Sequence, residues 1–233
     1  MNKKVCVIAG VGPGNGAAMA ERFAKAGYSV ALLARTPLFA EELAARIGEA
    51  HAYKCDVTDG DSVKNVFQEI RREQGEIDVV IYNAGSGAWG NVEEINSTVL
   101  ESSWRVNTLG LLLVSQEVIP SMKQGRHGSI IVIGATASRR GGVRTAAFAP
   151  AKAAQRSLAE SMAKYLWPHG IHVAVIIIDG VVDLPETRAR LPEKSDDFFV
   201  KPSAVAETAY WLTQQPSSAW SFEVEARPFG ENW

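Results

Sequence analysis

Short runs of β-branched and other apolar residues alternate along the chain with longer stretches in which apolar residues recur every three or four positions. The short runs predict strands, whereas the longer stretches predict amphipathic helices. We place seven strands at residues 4–9, 29–34, 51–55, 77–82, 129–134, 171–178 and 221–227. Six helices fall between them, at 16–26, 38–48, 61–73, 98–123, 146–167 and 203–214. This alternation predicts an α/β fold: a doubly wound, seven-stranded parallel sheet with helices on both faces.

Two of the predicted strands are hydrophobic almost without interruption, Ile130–Ile133 and Val173–Ile178. Strands covered on both faces have this composition, so we expect both near the centre of the sheet. No repeat or linker interrupts the pattern, which predicts one domain over residues 1–233. The segment 183–202, with three prolines among mixed charges, is predicted to be an irregular connection of the kind that often contacts ligands.

Composition limits the partners of this chain. Lys plus Arg number 24 against 26 Asp plus Glu, so the net charge of -2 provides no general attraction for nucleic acid. No run approaches the roughly 18 apolar residues of a membrane helix, and we expect a cytoplasmic protein without a membrane partner. The 2 cysteines and 4 histidines show no metal-binding spacing, so we predict no metal site.

A glycine-rich turn, Gly10-Val11-Gly12-Pro13-Gly14-Asn15-Gly16, follows the first strand and opens onto the first helix. Without Cβ atoms the backbone can approach a pyrophosphate, whose charge the amides and dipole of a helix start favour. A plain tight turn is the alternative. The strand before and the helix after favour a dinucleotide site formed by Gly10, Gly14, Asn15 and Gly16.

The spacing Gly10-x-x-x-Gly14-x-Gly16 resembles that of the short-chain dehydrogenase/reductase family. Further matches follow in order: Asp56-Val57 after strand three, Asn83-Ala84-Gly85 after strand four, Asn107 in helix four and Lys152 in helix five. Together they span most of the chain. The resemblance implies a Rossmann-type fold that binds a nicotinamide dinucleotide.

By this resemblance, Asp56 meets the adenine ring with Val57 beside it. Asn83-Ala84-Gly85 then supports the adenosine side of the pocket. The alternative for Asp56 is a loop carboxylate or a cap ahead of the next helix.

The end of strand two bears on the choice of cofactor. Proteins that prefer NAD usually carry Asp or Glu there, whereas this chain has Ala34-Arg35. A guanidinium can bind a 2′-phosphate through charge-assisted hydrogen bonds, so we expect NADP(H) in preference to NAD(H). Arg35 capping the next helix or pointing to solvent is the alternative, and Pro13 argues against NADP because such relatives often have a basic residue in the turn.

The family's catalytic residues are expected at four positions. The resemblance implies a Tyr four residues before the Lys, a Ser thirteen residues before that Tyr, and an Asn that holds a water behind the Lys. Lys152 and Asn107 fit, but the Tyr and Ser positions hold Phe148 and Ala135. None of the 5 tyrosines has a lysine four residues later. Seven residues before Lys152, the spacing of related enoyl reductases, stands Thr145.

The nicotinamide end departs from the family further, since its Pro-Gly after strand six reads Asp179-Gly180 and its following Thr reads Leu184. Two hypotheses follow. The chain is a divergent NADP(H)-dependent oxidoreductase of a small, unidentified carbonyl or alcohol, with a substitute proton donor, or it is a non-catalytic nucleotide-binding sensor or scaffold. The candidate donors are water and the side chains of Thr136, Ser138, Thr145 and Asp179.

The resemblance also implies assembly. Relatives often pair their fourth and fifth helices, here 98–123 and 146–167, into homodimers or homotetramers. Core burial accounts for part of the apolar character of these helices.

Overall fold

The computed structural model describes residues 3–231 and confirms the predicted Rossmann-type α/β fold. Seven strands form one parallel sheet, and two further short strands pair beside it. In chain order they are β1 Val5–Ala9, β2 Ser29–Ala34, β3 Ala50–Lys54, β4 Ile77–Tyr82, β5 Ser129–Ala135, β6 His172–Ile178, β7 Val181–Val182, β8 Phe199–Val200 and β9 Glu223–Ala226. The order across the large sheet is β3-β2-β1-β4-β5-β6-β9.

Helices connect the strands close to the predicted positions. They are α1 Asn15–Lys25, α2 Leu38–Ile47, α3 Gly60–Gln74, α4 Ser97–Trp104, α5 Gly110–Gly125, α6 Phe148–Leu166, α7 Pro185–Arg190 and α8 Pro202–Gln214. Within residues 3–231, none is long and apolar enough to cross a membrane.

The sheet separates two hydrophobic cores. Alternate residues of β1 point to opposite faces, with Val5 and Val7 in one core and Cys6 and Ile8 in the other. Helices α3, α5 and α6 cover the first face, whereas α1, α2 and α8 cover the second. Burial on both faces explains the continuous apolar runs of β5 and β6, and confirms that both lie inside the sheet.

The helix predicted over 98–123 is interrupted. A π-helical turn, Arg105–Leu109, joins α4 to α5. Such a turn inserts one extra residue into the helix without ending it, and π-turns often occur at functional sites. Here the turn contains the fully buried Asn107.

The irregular connection predicted over 183–202 is also corrected, because α7 and β8 form within it and β8 pairs with β7. Pro185 opens α7, where a missing backbone N–H costs nothing. Asp183 accepts hydrogen bonds from Arg188 and Lys201 at 2.6 Å each, which holds the two ends of the segment together.

Candidate functional site

A cleft of about 740 Å³ lies at the carboxyl ends of the first four strands. This edge is where open α/β sheets bind ligands. The cleft brings together seven of the predicted site residues: Gly10, Arg35, Asp56, Val57, Asn83, Ala84 and Gly85. Gly14, Asn15 and Gly16 lie beside it, at the start of α1.

Gly10 is required by the shape of the glycine-rich turn. Its φ is +94°, and a β-carbon built on it would lie 2.4 Å from the amide nitrogen of Ala84. The backbone amides of Gly10 and Val11 both donate to Leu33 O at 3.0 Å. The turn therefore packs directly on the loop after β4, which only glycine permits.

Asn83 fixes the turn from the other side. Its backbone amide donates to Ala9 O at 2.9 Å, and its side-chain Nδ2 donates to Gly10 O at 2.6 Å. A β-carbon on Gly16 would lie 2.9 Å from the same Gly10 oxygen. The positions of the asparagine and both glycines are thus set by one close contact between two loops.

The beginning of α1 is partly covered. A β-carbon built on Gly14 would lie 2.6 Å from Cδ2 of Leu184, so this leucine packs over the turn. Beside it, the side-chain oxygen Oδ1 of Asn15 is buried and has no hydrogen-bond partner among residues 3–231. A buried acceptor without a partner favours a ligand or water that donates to it.

Asp56 lies in the cleft wall, where its Oδ1 accepts from Thr58 N at 2.9 Å and Thr58 Oγ1 at 2.8 Å. The backbone bond contributes most to lowering the pKa of Asp56, and the nearby charges of Arg35 and Arg105 lower it further. Asp56 therefore both stabilises its own loop and lines the pocket. Arg35 itself is exposed at the end of β2 and lines the cleft.

Cys55 also lines the cleft, but its thiol is suited to packing rather than to nucleophilic attack. Burial raises its pKa to about 11. Among the described residues, Cys6 and Cys55 are both free, and no group of three or more His, Cys, Asp or Glu is placed to hold a metal ion.

Lys152 is 6% exposed and lies at the start of α6. Its Nζ donates to Ile133 O and to Gln155 Oε1, both at 2.9 Å. Burial lowers the pKa of Lys152 to about 7. The ring centroid of Phe148, one turn earlier on the same helix, lies 5.9 Å from Nζ.

Gln155 connects Lys152 to Asn107, a link the sequence had not predicted. Its Nε2 donates to the backbone oxygen of Asn107 at 2.8 Å, while its Oε1 accepts from the lysine. Gln155 is 1% exposed. The signal was available, because a polar residue three positions after Lys152 shares its buried helix face.

The Asn107 side chain is held from one end only. Its Nδ2 donates to Ser103 O at 2.8 Å, but its buried Oδ1 has no partner within the described part of the chain. A β-carbon built on Gly85 would lie 3.4 Å from this oxygen and 3.8 Å from Lys152 Nζ. Gly85 lines the cleft, whereas Lys152 and Asn107 are buried behind it and do not line the cleft themselves.

Ala135 ends β5, and the candidate proton donors that follow it bond within the protein. Ser138 Oγ donates to Ala135 O at 2.7 Å. Thr136 Oγ1 donates to Asp179 Oδ1 at 2.5 Å, and Asp179 forms an ion pair with Arg227.

Thr145, the remaining candidate, donates from Oγ1 to Gly142 O at 3.0 Å and accepts from Gly142 N at 2.7 Å. Nearby, the rings of Trp89 and Phe148 meet at 5.4 Å between centroids. Trp89 is 60% exposed, so the Phe148 end of the site presents an aromatic surface to solvent.

With this geometry established, comparison with known proteins settles the family. The sequence model of the short chain dehydrogenase family matches residues 4–195. The chain belongs to the short-chain dehydrogenase family. A solved short-chain dehydrogenase from Rhodopseudomonas palustris is 32% identical, with 97% of this chain and 99% of that chain covered and a TM-score of 0.84.

Further known proteins are also similar over nearly their full length. An uncharacterized oxidoreductase of Staphylococcus saprophyticus is 29% identical, with 98% of each chain covered. The 3-oxoacyl-(acyl-carrier-protein) reductase of Thermotoga maritima is 28% identical, with 92% of each chain covered. A metagenomic short-chain oxidoreductase solved in complex with NADP shares the fold, with a TM-score of 0.85 at 23% identity and 99% of each chain covered.

Proposed function

We propose that this short-chain dehydrogenase family member is a divergent oxidoreductase that uses NADP(H) to interconvert a small carbonyl compound and its alcohol. The observation that carries the proposal is a cleft wall that runs from the glycine-rich turn to Gly85, with Lys152 Nζ 3.8 Å from where a β-carbon on Gly85 would lie. The similar Thermotoga maritima protein is named as a reductase of a carbonyl substrate, which supports the reaction class.

The residues present fit a dinucleotide. Gly10 and Gly16 are packed too tightly against neighbouring backbone for any larger residue, and the helix start that they shape favours a pyrophosphate, although Leu184 packs over Gly14. The unpartnered Oδ1 of Asn15 and of Asn107 are two buried acceptors that a bound ligand or its water can satisfy. We assign the adenosine end of the dinucleotide to Asp56, Val57 and Asn83-Ala84-Gly85, as the family resemblance implies.

Arg35 supports NADP(H) over NAD(H). It is exposed, it lines the cleft, and the pKa of Asp56 is lowered in part by its charge. A 2′-phosphate placed here gains charge-assisted hydrogen bonds from the guanidinium, whereas a free 2′-hydroxyl gains much less.

At the reactive end, the bound cofactor supplies hydride chemistry. The family resemblance implies that Lys152 reaches the nicotinamide ribose hydroxyls, and Asn107 holds the backbone that supports the lysine. Phe148 and Ala135 take the positions of the family's Tyr and Ser, so neither contributes a hydroxyl. Loss of a general acid commonly costs about 10² to 10⁴ in rate, which predicts slow turnover unless another group donates the proton.

A non-catalytic sensor or scaffold is the second candidate function. It is favoured by the engagement of Thr136, Ser138 and Thr145, whose hydroxyls all donate to protein acceptors. Stopped-flow oxidation of NADPH across a panel of carbonyl compounds separates the two functions. We expect turnover with at least one carbonyl, and absence of hydride transfer to every acceptor, with NADPH bound, would leave the sensor.

Assembly and location extend the proposal. Trp104, Leu112 and Tyr165 expose 42%, 36% and 59% of their surface on the α4–α5 and α6 faces, which favours pairing of these helices in a homodimer or homotetramer. Light scattering after size exclusion tests this, and a monomer at micromolar concentration would contradict it. A cytoplasmic location stays a prediction, as does organisation as one domain over residues 1–233.

A further inference from the structure

The hydrogen bonds of Lys152 have a direction that the neighbouring groups fix. The backbone oxygen of Asn107 can only accept, so the end of the Gln155 amide that faces it is the nitrogen, at 2.8 Å. The amide oxygen therefore faces Lys152 Nζ, and Ile133 O is also an acceptor. Two hydrogens of the amine are committed to protein oxygens.

These two hydrogen bonds suit both protonation states of the lysine. A neutral amine has two hydrogens and a lone pair, whereas the ammonium has three hydrogens. Both states satisfy Ile133 O and Gln155 Oε1 without rearrangement. Only the third position on Nζ changes between them, as a lone pair in one state and an N–H in the other.

Ile133 O and Gln155 Oε1 are the hydrogen-bond partners of Nζ in residues 3–231, which leaves its third position for a ligand or water. A β-carbon on Gly85, a residue of the cleft wall, would lie 3.8 Å from Nζ. The same point is 3.4 Å from Asn107 Oδ1, which has no partner in residues 3–231. Nζ and the unpartnered Oδ1 of Asn107 therefore both lie beside Gly85, where a water or ligand hydroxyl reaching past this residue would satisfy both.

We propose that the third position of Lys152 Nζ serves the substrate oxygen rather than a ribose hydroxyl, so that Lys152, held by Gln155, is itself the proton donor and acceptor of the reaction, in place of the hydroxyl that Phe148 lacks. The inference rests on the proposed oxidoreductase function and adds the identity of its acid and base. Gln155 acts as a positioning residue, because it touches Lys152 and Asn107 rather than the reacting atoms. The amide spans the gap that a water fills in the family pattern.

The step balances with the groups named. In reduction the carbonyl carbon gains a hydride from the reduced nicotinamide, and the carbonyl oxygen gains the proton of the third N–H. The C=O double bond becomes a C–O single bond with a new O–H, and the N–H pair stays on Nζ as a lone pair. The neutral amine then recovers a proton from solvent, and alcohol oxidation runs in reverse. A hydrogen bond or one intervening water gives the reach that a general acid needs.

The surroundings of Lys152 make the third proton exchangeable near neutral pH. The groups that face Nζ are uncharged on every packed element: Ile133 O on β5, Asn107 in the π-turn, Gly85 after β4, and Phe148 and Gln155 on α6. With no counter-charge, burial alone lowers the pKa of Lys152 to about 7. A general acid works best when its pKa lies near the working pH.

The rival donors fit less well. Thr136, Ser138 and Thr145 each direct their hydroxyl hydrogen at a protein oxygen. Asp179 faces the guanidinium of Arg227 and accepts from Thr136. Each would have to break a bond within the protein to protonate a substrate, whereas Lys152 would not.

Gln155→Glu is the most direct test, because a carboxylate at the Oε1 position should raise the pKa of Lys152 by about 1 to 3 units. Two readouts are followed: the titration of Lys152 Cε by NMR with labelled lysine, assigned by its loss in Lys152→Arg, and the pH profile of kcat for carbonyl reduction with NADPH. The wild type should titrate near pH 7 and lose turnover above that pH. In Gln155→Glu both midpoints should move upward together.

Lys152→Arg gives a second, independent check. Arginine keeps a cation and hydrogen-bond donors at this position but cannot release a proton. We expect kcat to fall about 100-fold or more while NADPH still binds. Lys164→Arg, the same change at an exposed lysine of α6, should keep turnover close to that of the wild type.

The outcomes separate the two proposals. Two results would overturn the inference while leaving the oxidoreductase function standing, provided that the wild type turns over. One is an unchanged pH profile of kcat in Gln155→Glu, and the other is full kcat in Lys152→Arg. A Lys152 titration above pH 10 in the wild type would also overturn it. Absence of NADPH oxidation by the wild type with every carbonyl would overturn the proposed function, and this inference with it.

Discussion

Gly10 and Ala84 approach so closely that a β-carbon on Gly10 would lie 2.4 Å from the amide nitrogen of Ala84. The contact joins the glycine-rich turn to the loop after β4, and Asn83 reinforces it by donating from Nδ2 to Gly10 O at 2.6 Å. Two separate motifs of the sequence thus form one rigid wall of the cleft. Substitutions in the turn that disturb this contact should destabilise the protein, whereas those that leave it intact should have little effect on stability.

Gly10→Ala should destabilise the protein by about 2 to 5 kcal/mol, because it combines a strained φ of +94° with overpacking against backbone. Gly12→Ala is the matched control, since a β-carbon there meets nothing within 4 Å, and it should cost less than about 1 kcal/mol. Urea unfolding measures both. Equal costs for the two variants would show that the contact does not constrain the turn.

Arg35→Ala should weaken NADPH binding by about 10- to 100-fold, the range expected for losing hydrogen bonds from a charged group, and should change NADH binding little. Arg72→Ala removes an exposed arginine of α3 and serves as the control. Titration calorimetry with both cofactors gives the ratio of the dissociation constants for NADPH and NADH. Equal losses for NADPH and NADH in Arg35→Ala would assign this arginine a role other than recognition of the 2′-phosphate.

Lys152 should make the stability of the protein depend on pH. Its pKa is lowered in the fold from 10.5 to about 7, so between these values the unfolded chain binds one proton more than the folded chain. The free-energy penalty of burying the protonated lysine is fully present below pH 7, and it is relieved as pH rises toward 10.5. The free energy of unfolding should therefore rise with pH, by about 1.4 kcal/mol per unit from this group.

Lys152→Met isolates that contribution, because the other titrating groups are common to both proteins. We expect the difference in unfolding free energy, wild type minus variant, to rise between pH 7.5 and 9 at roughly this slope of 1.4 kcal/mol per unit. Urea unfolding at several pH values measures it. A difference that does not change with pH would mean that Lys152 keeps an ordinary pKa in the fold.

Ala135→Ser combined with Phe148→Tyr should raise carbonyl reduction, by up to about 10² to 10⁴-fold, because it restores the hydroxyls that the family uses. Phe148 lies 5.9 Å from Lys152 Nζ by its ring centroid, so a phenol there would be influenced by the lysine. Phe148→Leu, which adds no hydroxyl, should give no gain. If kcat in the double variant stays unchanged, the substrate site itself has diverged.

Much of the fold follows from the hydrophobic pattern because burial dictates it. The seven strands lie within a few residues of their predicted positions, since each is bounded by turn residues and covered by helices. The π-turn Arg105–Leu109 could not be foreseen. Its apolar residues fit an α-helix equally well, and the extra residue appears only when α4 and α5 pack on the sheet.

The segment 183–202 was mispredicted for a different reason. Its prolines indicated irregular backbone, yet Pro185 opens α7 and Pro202 opens α8. The contacts that fold it are ion pairs, such as that of Asp183 with Arg188, which hydrophobic periodicity does not detect.

At the site, glycine spacing and strand-end positions predicted which residues line the cleft, because parallel strands bring their carboxyl ends to one edge. The roles of these residues stay predictions. The link from Lys152 through Gln155 to Asn107 was missed, because it depends on side-chain directions across α6 and the π-turn. No periodicity encodes those directions.

Binding of the cofactor is the central claim, and calorimetric titration of the wild-type protein with NADPH and with NADH tests it most directly. We predict binding of NADPH with one site per chain, tighter than that of NADH. If neither nucleotide gave a heat of binding, and the two did not compete for the protein, the cleft would hold no dinucleotide and the claim would be contradicted.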